Sequence, residues 1–303
     1  MSGTMNKSKD KATFFQQVHV WPLSSSINYE GWLSNFQTTE DKHIAECILD
    51  FFTYFPSAMV DKMLRNTVGQ AGYYLSQRFP NWRHSDFMNR CYYSFIPGEH
   101  PHPTDSGHIF VRKLRDVIGI SEDRIIDYAE LHTLLLNSKE PLPVLLVDDF
   151  IGTGNQCVKA WSVTMQASSG KTLEMISKQG GHAFAYVSLI ANKSGYQRIA
   201  NSCSALQLCS AHVLGVEYNL FNKECLCWQS DEDLYTKGTE LILRKSKEIG
   251  VPDNAGANEL DARGFGMQGL ALAFEHGAPD AIPGFFYFCD HDWIPLIKKR
   301  YKR

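Results

Sequence analysis

The most constraining feature of this chain is the run VLLVDDFIGTGNQ at positions 144–156. Its first four residues are all apolar, which is typical of a strand that is buried on both faces of a parallel sheet. Asp148 and Asp149 follow directly, and then a turn that contains two glycines. Because an unpaired carboxylate is costly to bury, these acids must reach solvent, a ligand or a metal. The run therefore predicts a buried strand with a polar site at its end.

The segments around this run alternate between strand patterns and helix patterns. Helical spacing of apolar residues is found at 109–119, 157–166 and 193–202. Strand patterns are found at 91–98, 124–131, 144–149, 182–191 and 205–215. Such alternation predicts the α/β class, with an open, mainly parallel sheet that carries helices on both faces.

The chain outside these segments predicts two extensions and a tail. Residues 1–26 are expected to form a flexible tail, and residues 27–90 a helical N-terminal region, because apolar side chains recur there every three or four positions. Residues 91–303 are expected to form the α/β domain with a C-terminal extension. We expect residues 27–303 to form one compact unit.

Composition excludes several classes of protein. A formal net charge of -3 gives no basic excess of the kind that marks a nucleic-acid-binding chain. No stretch has the length of apolar sequence that a membrane span needs, and the first residues do not resemble a signal peptide. The eight cysteines are scattered and lack zinc-site spacing. A cytoplasmic protein without membrane partners is expected.

The turn after the acids has the features of a phosphate-binding site. Glycines let successive backbone N–H groups converge, and the start of the following helix adds the positive end of a dipole. Paired carboxylates suit ribose hydroxyls and a hard cation such as Mg²⁺. The P-loop motif is absent because no lysine follows Gly154 directly, and GTGNQC lacks the third glycine of the dinucleotide-binding motif. An ordinary strand-to-helix turn with a capping acid is the alternative.

The order acid, acid, apolar, apolar, any residue, Thr, Gly resembles the 5′-phosphoribosyl diphosphate (PRPP) loop of type I phosphoribosyltransferases. That loop usually has hydroxyl residues where this chain has Gly152 and Gln156. A wider set of segments, WLSNF…DKHIAECILDFF, PTDSGHIFVRKLR, VDDFIGTGNQ and GFGMQGLALAFEHGAPD, is similar to the phosphoribosyltransferase-like family of prokaryotic conflict systems, including retron-type antiphage loci. The resemblance covers nearly the whole chain from about residue 30.

The resemblance implies a type I phosphoribosyltransferase-like fold and a role for each group of site residues. Asp148 and Asp149 would be catalytic and would hold Mg²⁺ indirectly. The 5′-phosphate of the sugar would bind at Ile151, Gly152, Thr153, Gly154, Asn155 and Gln156. The diphosphate would bind at Asp105, Ser106 and Gly107, where a loop also joins a strand pattern to a helix pattern.

Two functions follow, and the sequence leaves both open. The first is an antiphage effector that binds PRPP or a related phosphoribosyl nucleotide with Mg²⁺ and transfers or cleaves at the anomeric carbon. The second is a non-catalytic nucleotide-sensing module that regulates a partner protein or nucleoprotein complex, which the missing hydroxyl residues favour. The resemblance implies an operon partner such as a reverse transcriptase–msDNA complex or a DNA-binding protein.

Overall fold

The computed structural model describes residues 7–22, 26–79, 81–98, 106–164, 170–290 and 292–298. The chain divides into two compact units. The first unit comprises Met1–Val60 together with Gly215–Arg303, and the second comprises Asp61–Leu214. These boundaries differ from the expected ones, because the N-terminal helices share a unit with the C-terminal segment rather than with the residues that follow them.

Helices and strands alternate through much of the chain. The α-helices are α1 (Lys7–Gln17), α2 (Tyr29–Ser34), α3 (Thr39–Phe51), α4 (Ser57–Gln77), α5 (Phe87–Arg90), α6 (Ser106–Lys113), α7 (Tyr128–Asn137), α8 (Asn155–Ser162), α9 (Leu173–Gly180), α10 (Lys193–Ser202) and α11 (Glu232–Glu248). The strands are β1 (Thr53–Phe55), β2 (Tyr92–Phe95), β3 (Pro143–Ile151), β4 (Ala183–Asn192), β5 (Leu206–Leu214) and β6 (Leu272–Phe274). Helix α1 lies within the segment expected to be a flexible tail.

The second unit is built on a parallel four-stranded sheet. Its order is β2-β3-β4-β5, and each neighbouring pair is parallel. Because the strands are parallel, their carboxyl ends meet at one edge of the sheet, which is where ligands bind in open α/β folds. The predicted α/β class and four of the five predicted strands are confirmed.

Helices cover both faces of this sheet. Val144 and Leu146 on β3 face a core that helices α7 to α10 complete with Leu131, Trp161 and Ile176, among other residues. The alternate residues of β3 point to the opposite face. Helix α6 lies on that opposite face, where Gly107 packs against the ring of Phe95. The unbroken apolar runs of β3 and β4 follow from this two-sided burial.

The strand predicted at 124–131 is wrong, since most of this segment is helical. Asp127 caps α7 by accepting a hydrogen bond from the backbone N–H of Ala129 at 2.9 Å. Tyr128, Leu131 and Leu135 then recur at helical spacing on the buried side of α7. Only an isolated bridge between Tyr93 and Ile125 is strand-like. A short apolar run cannot by itself be assigned to a strand or a buried helix, and here the capping residue decides.

The first unit combines helices α1, α2, α3 and α11 with the parallel pair β1 and β6. Trp32 lies in an aromatic core, with its ring 5.0 Å from that of Phe36 and 5.6 Å from that of Phe285. Helix α11 is tied to α3 by an ion pair of 2.7 Å between Arg244 and Asp41. Among the described residues, no helix combines the length and the apolar character that crossing a membrane requires.

Two buried histidines of the second unit differ in their hydrogen bonding. His182 Nδ1 accepts a hydrogen bond from the backbone N–H of Leu142 at 3.0 Å. His132 on α7 is fully buried, and neither ring nitrogen has a partner among the described residues. Burial lowers the pKa of both imidazoles below the ordinary value of 6.5. Both rings are therefore neutral in the folded chain near pH 7.

We expect His132→Leu to raise the free energy of unfolding by about 1 kcal/mol, because it removes a polar group that is buried without a partner. His182→Leu is the matched variant and should lower the free energy of unfolding by about 1–3 kcal/mol, because it leaves the Leu142 N–H unpaired. Urea unfolding at pH 7.5 measures both values.

The same pair predicts how stability depends on pH. The pKa values of His132 and His182 are lower in the folded chain than in the unfolded one. The free energy of unfolding is therefore not reduced by these groups above about pH 6.5, and it declines as the pH falls below that value. His132→Leu should make the decline less steep. Equal destabilisation by the two leucine variants at pH 7.5 would contradict the assignment of His132 as unpartnered.

Candidate functional site

The candidate site lies at the carboxyl end of β3, where the chain turns into α8. Strand β3 ends at Ile151, and α8 begins at Asn155. Between them, Gly154 has φ +78°, a left-handed conformation that residues with a side chain rarely adopt. Gly154 therefore lets the chain reverse from strand to helix within three residues.

Helix α10 fixes the backbone of this turn. A Cβ atom on Gly195 of α10 would collide with the carbonyl oxygen of Gly152, and one on Gly154 would lie 2.7 Å from the Gly195 carbonyl oxygen. The two backbones are thus in direct contact, which only paired glycines allow. Arg198 of α10 adds a hydrogen bond of 2.7 Å from its guanidinium to Oδ1 of Asn155. The turn is held in one conformation by its neighbour.

The backbone N–H groups of the turn are available to a ligand. No described residue accepts a hydrogen bond from the N–H of Gly152, Thr153 or Gly154. The N–H of Asn155 has only a long contact of 3.4 Å with Thr153 Oγ1. These donors lie at the N-terminus of α8, where the helix dipole also favours an anion. A phosphate is the ligand that this arrangement suits best.

The first acid, Asp148, is buried and bonded within the protein. Its side chain is 3% exposed. Oδ2 accepts a hydrogen bond from Tyr186 Oη at 3.1 Å, and Oδ1 accepts one from Ser106 Oγ at 3.2 Å. Oδ1 also accepts the backbone N–H of Asp149 at 2.9 Å. Burial, followed by the negative charge of Asp149, raises the pKa of the Asp148 carboxyl well above its ordinary value.

The second acid, Asp149, is half-buried rather than enclosed. Strand β3 pairs with β4 on either side of this acid, at Asp148 and again at Phe150 and Ile151. The carboxyl groups of Asp148 and Asp149 are close enough for a hydrogen bond between their side chains, and this contact adds to the raised pKa of Asp148. The two acids have different surroundings although they are neighbours in sequence.

The other predicted site residues take different positions around the turn. Ser106 is the first residue of α6 and contacts Asp148, whereas Gly107 packs closely against Phe95. Gln156 Nε2 donates to the backbone oxygen of Ile96 at 3.2 Å. Ile151 is buried in the core. Asp105 lies outside the described residues.

The acids could hold a magnesium ion only together with ligands that the protein does not supply, such as phosphate oxygens and water. Among the described residues, no group of three His, Cys, Asp or Glu side chains lies close enough together to hold a metal. Mg²⁺ is commonly bound through one or two carboxylates, with substrate phosphates and water as its other ligands. Asp149 and the hydroxyl of Ser106 are oxygen donors of that kind. The residues present therefore fit an ion that arrives with a phosphorylated ligand.

A cavity of about 350 Å³ lies elsewhere in the second unit. It is lined by the end of α4 and by the first residues of β4 and β5, including Tyr74, Arg78, Ala183 and Gln207. These are the amino ends of the strands, opposite the edge that carries the acids. None of the candidate site residues lines the cavity. We place the site at the turn because the two acids and the backbone N–H groups without an acceptor are there.

Sequence reasoning missed three residues that shape the site. Gly195 and Arg198 are on α10, and nothing in their local sequence indicates contact with a distant turn. Tyr186 could have been found, because it is the one phenol in the apolar run AFAYVSLIA. A buried tyrosine hydroxyl usually has a hydrogen-bond partner, and here that partner is Asp148 on the neighbouring strand β3.

Comparison with known proteins agrees with this geometry. None of the curated proteins compared with the chain matches it. A model of the family PRTase-CE matches residues 29–299, which include most of both units and every described residue of the candidate site. With most of its length matched, this chain belongs to the PRTase-CE family and is a phosphoribosyltransferase-like protein.

Proposed function

We propose that this protein binds PRPP, or a related phosphoribosyl nucleotide, with Mg²⁺ and transfers or cleaves the sugar at its anomeric carbon. The observation that carries the proposal is the set of unused N–H groups on Gly152, Thr153 and Gly154, directly beside an acid pair. A phosphate needs such donors, and a ribose needs carboxylate acceptors for its hydroxyls. Membership of a phosphoribosyltransferase-like family supports both assignments.

In this proposal the turn and the acids bind different parts of the ligand. The 5′-phosphate occupies the N–H groups at the start of α8, which fixes the sugar in one orientation. The acid pair lies under the ribose, where negative charge stabilises the positive charge that develops at the anomeric carbon. The start of α6, with Ser106 and Gly107, receives the diphosphate.

The reaction then proceeds by substitution at one carbon. The bond between the anomeric carbon and the diphosphate oxygen breaks, and the diphosphate leaves with the electron pair. An acceptor, or water in the case of cleavage, supplies the pair that forms the new bond. When bound, Mg²⁺ supplies neutralisation of the negative charge on the diphosphate oxygens. The protein itself contributes orientation, charge and the phosphate site.

The biological setting that we propose rests on the resemblance described above. The protein would act in the cytoplasm as an effector of a retron-type antiphage system. Its partner there would be a reverse transcriptase–msDNA complex or a DNA-binding protein.

One observation favours the second candidate function, a nucleotide-sensing module without turnover. Gln156 stands where the PRPP loop usually carries a hydroxyl residue, and its amide donates to the backbone of Ile96 at 3.2 Å. Gly152 lacks a hydroxyl as well. A phosphate held by fewer donors is held less firmly, which suits a sensor that must release its ligand. Diphosphate release separates the two functions.

We expect the protein to release diphosphate from radiolabelled PRPP in the presence of Mg²⁺, when the acceptor is supplied as a cell extract. Asp149→Asn should slow release by about 10²–10³-fold, because it removes charge that stabilises the transition state. Asp123→Asn is the matched control, since Asp123 is exposed and distant in sequence from the turn. Ligand binding without release by the wild type would support the sensor, and equal rates for both variants would contradict the catalytic role of Asp149.

Thr153 offers a test of the phosphate site that does not need turnover. It is half-exposed on the turn, whereas a side chain on Gly154 would displace α10. Thr153→Glu places a negative charge beside the N–H groups and should abolish the increase in melting temperature that PRPP and Mg²⁺ produce. Thr153→Gln has nearly the same shape without the charge and should keep a measurable increase.

Both Thr153 variants should unfold at about the wild-type temperature without ligand, because the position is on the surface. The measurement is a thermal-unfolding series over PRPP concentration. An undiminished ligand effect in Thr153→Glu would place the phosphate site elsewhere in the molecule.

A further inference from the structure

The acid pair forms one motif in the sequence, but its members differ in burial. Asp148 is 3% exposed, whereas Asp149 is half-buried. The two carboxyl groups remain close enough for a hydrogen bond between their side chains. Because Asp149 is the more exposed of the two, one ligand at the strand end meets the two carboxylates in different ways.

Asp148 has little capacity left for a ligand. Its carboxylate offers roughly four acceptor positions, and three donors of the protein occupy all but one of them: Tyr186 Oη, Ser106 Oγ and the N–H of Asp149. Its side chain is 3% exposed. A ribose hydroxyl could reach this carboxylate only by displacing a hydrogen bond and opening the core around Tyr186, which is itself buried.

The three donors come from three separate elements. Tyr186 is on β4, Ser106 begins α6, and the Asp149 N–H belongs to the strand that leads into the glycine turn. The side of the site proposed for diphosphate and the side proposed for the sugar phosphate are thus joined through one carboxyl group. Movement of Asp148 would move both sides.

We propose that Asp148 is a positioning residue that ties the start of α6 to the end of β3, and that Asp149 is the acid of the pair that contacts the ligand. This inference rests on the proposed function, because the ligand of Asp149 is the sugar that the proposed function assigns. It divides a motif that sequence reasoning treats as two equivalent catalytic acids.

Conservative replacement distinguishes the two roles. Asparagine at position 148 keeps the Oδ1 acceptor for Ser106 and for the Asp149 N–H, and its amide can donate to the Tyr186 oxygen. Asp148→Asn should therefore recover most of the PRPP affinity that Asp148→Ala loses. At position 149 the charge itself is needed, so Asp149→Asn and Asp149→Ala should both weaken PRPP binding by about 10- to 100-fold.

Isothermal titration of the four full-length variants with PRPP and Mg²⁺ makes this comparison. The expected result is that asparagine restores PRPP affinity relative to alanine at position 148 and does not do so at position 149. Equal loss in Asp148→Asn and Asp149→Asn would overturn the inference, because it would show that both charges contact the ligand. Failure of the wild type to bind PRPP would overturn the proposed function and, with it, the assignment of Asp149.

A ligand-free measurement tests Asp148 separately. The free energy of unfolding is measured for Asp148→Ala, Ser106→Ala and the double variant, and again with Tyr186→Phe in place of Ser106→Ala. Each cycle should give a coupling energy different from zero, because each pair shares a hydrogen bond. Additive effects in both cycles would overturn the positioning role whether or not PRPP binds.

Discussion

The candidate site depends on the hydrogen bonds that the carboxyl group of Asp148 accepts. This group lies at the point where β3, β4 and the start of α6 come together, and it accepts a hydrogen bond from each of them. Parallel strands bring their carboxyl ends to one edge, but the sheet alone does not fix the loops beyond that edge. Hydrogen bonds to a common acceptor do so, and the contact of α10 with the glycine turn completes the arrangement.

Typical free energies indicate that an acid at this position fixes the geometry of the site rather than adding to the free energy of unfolding. A hydrogen bond between uncharged groups contributes about 0.5–1.5 kcal/mol, whereas burying an ionised carboxylate costs several kcal/mol. The raised pKa of Asp148 agrees with this balance, because burial favours the protonated form. A protonated carboxyl group still accepts hydrogen bonds, so the contacts of Asp148 do not depend on its charge.

Sequence reasoning predicted the sheet of the second unit well, since the apolar runs of β3 and β4 are long and end at glycine or polar residues. It failed at 124–131, where the apolar run is too short to distinguish a strand from a helix and the cap at Asp127 decides. The division of the chain into two units could not be predicted, because contacts between residues 200 or more positions apart, such as Arg244 with Asp41, leave no local pattern in the sequence. At the site, the turn was predictable from its glycines. The role of α10 was not, because the fit of Gly195 against Gly152 depends on how α10 packs against the turn.

The division between the two acids also explains how one loop could serve either an enzyme or a sensor. In the proposed function, binding needs the turn, Asp149 and a fixed start of α6. Catalysis needs, in addition, that the negative charge developing on the leaving diphosphate be stabilised. In this chain Ser106, a residue proposed to receive the diphosphate, already donates its hydroxyl to Asp148. If diphosphate draws that hydroxyl away as it leaves, Asp148 loses a partner, and leaving-group departure becomes coupled to the end of β3. Turnover would then be tied to a change at the carboxyl edge of the sheet, the same edge at which a sensor would report an occupied site.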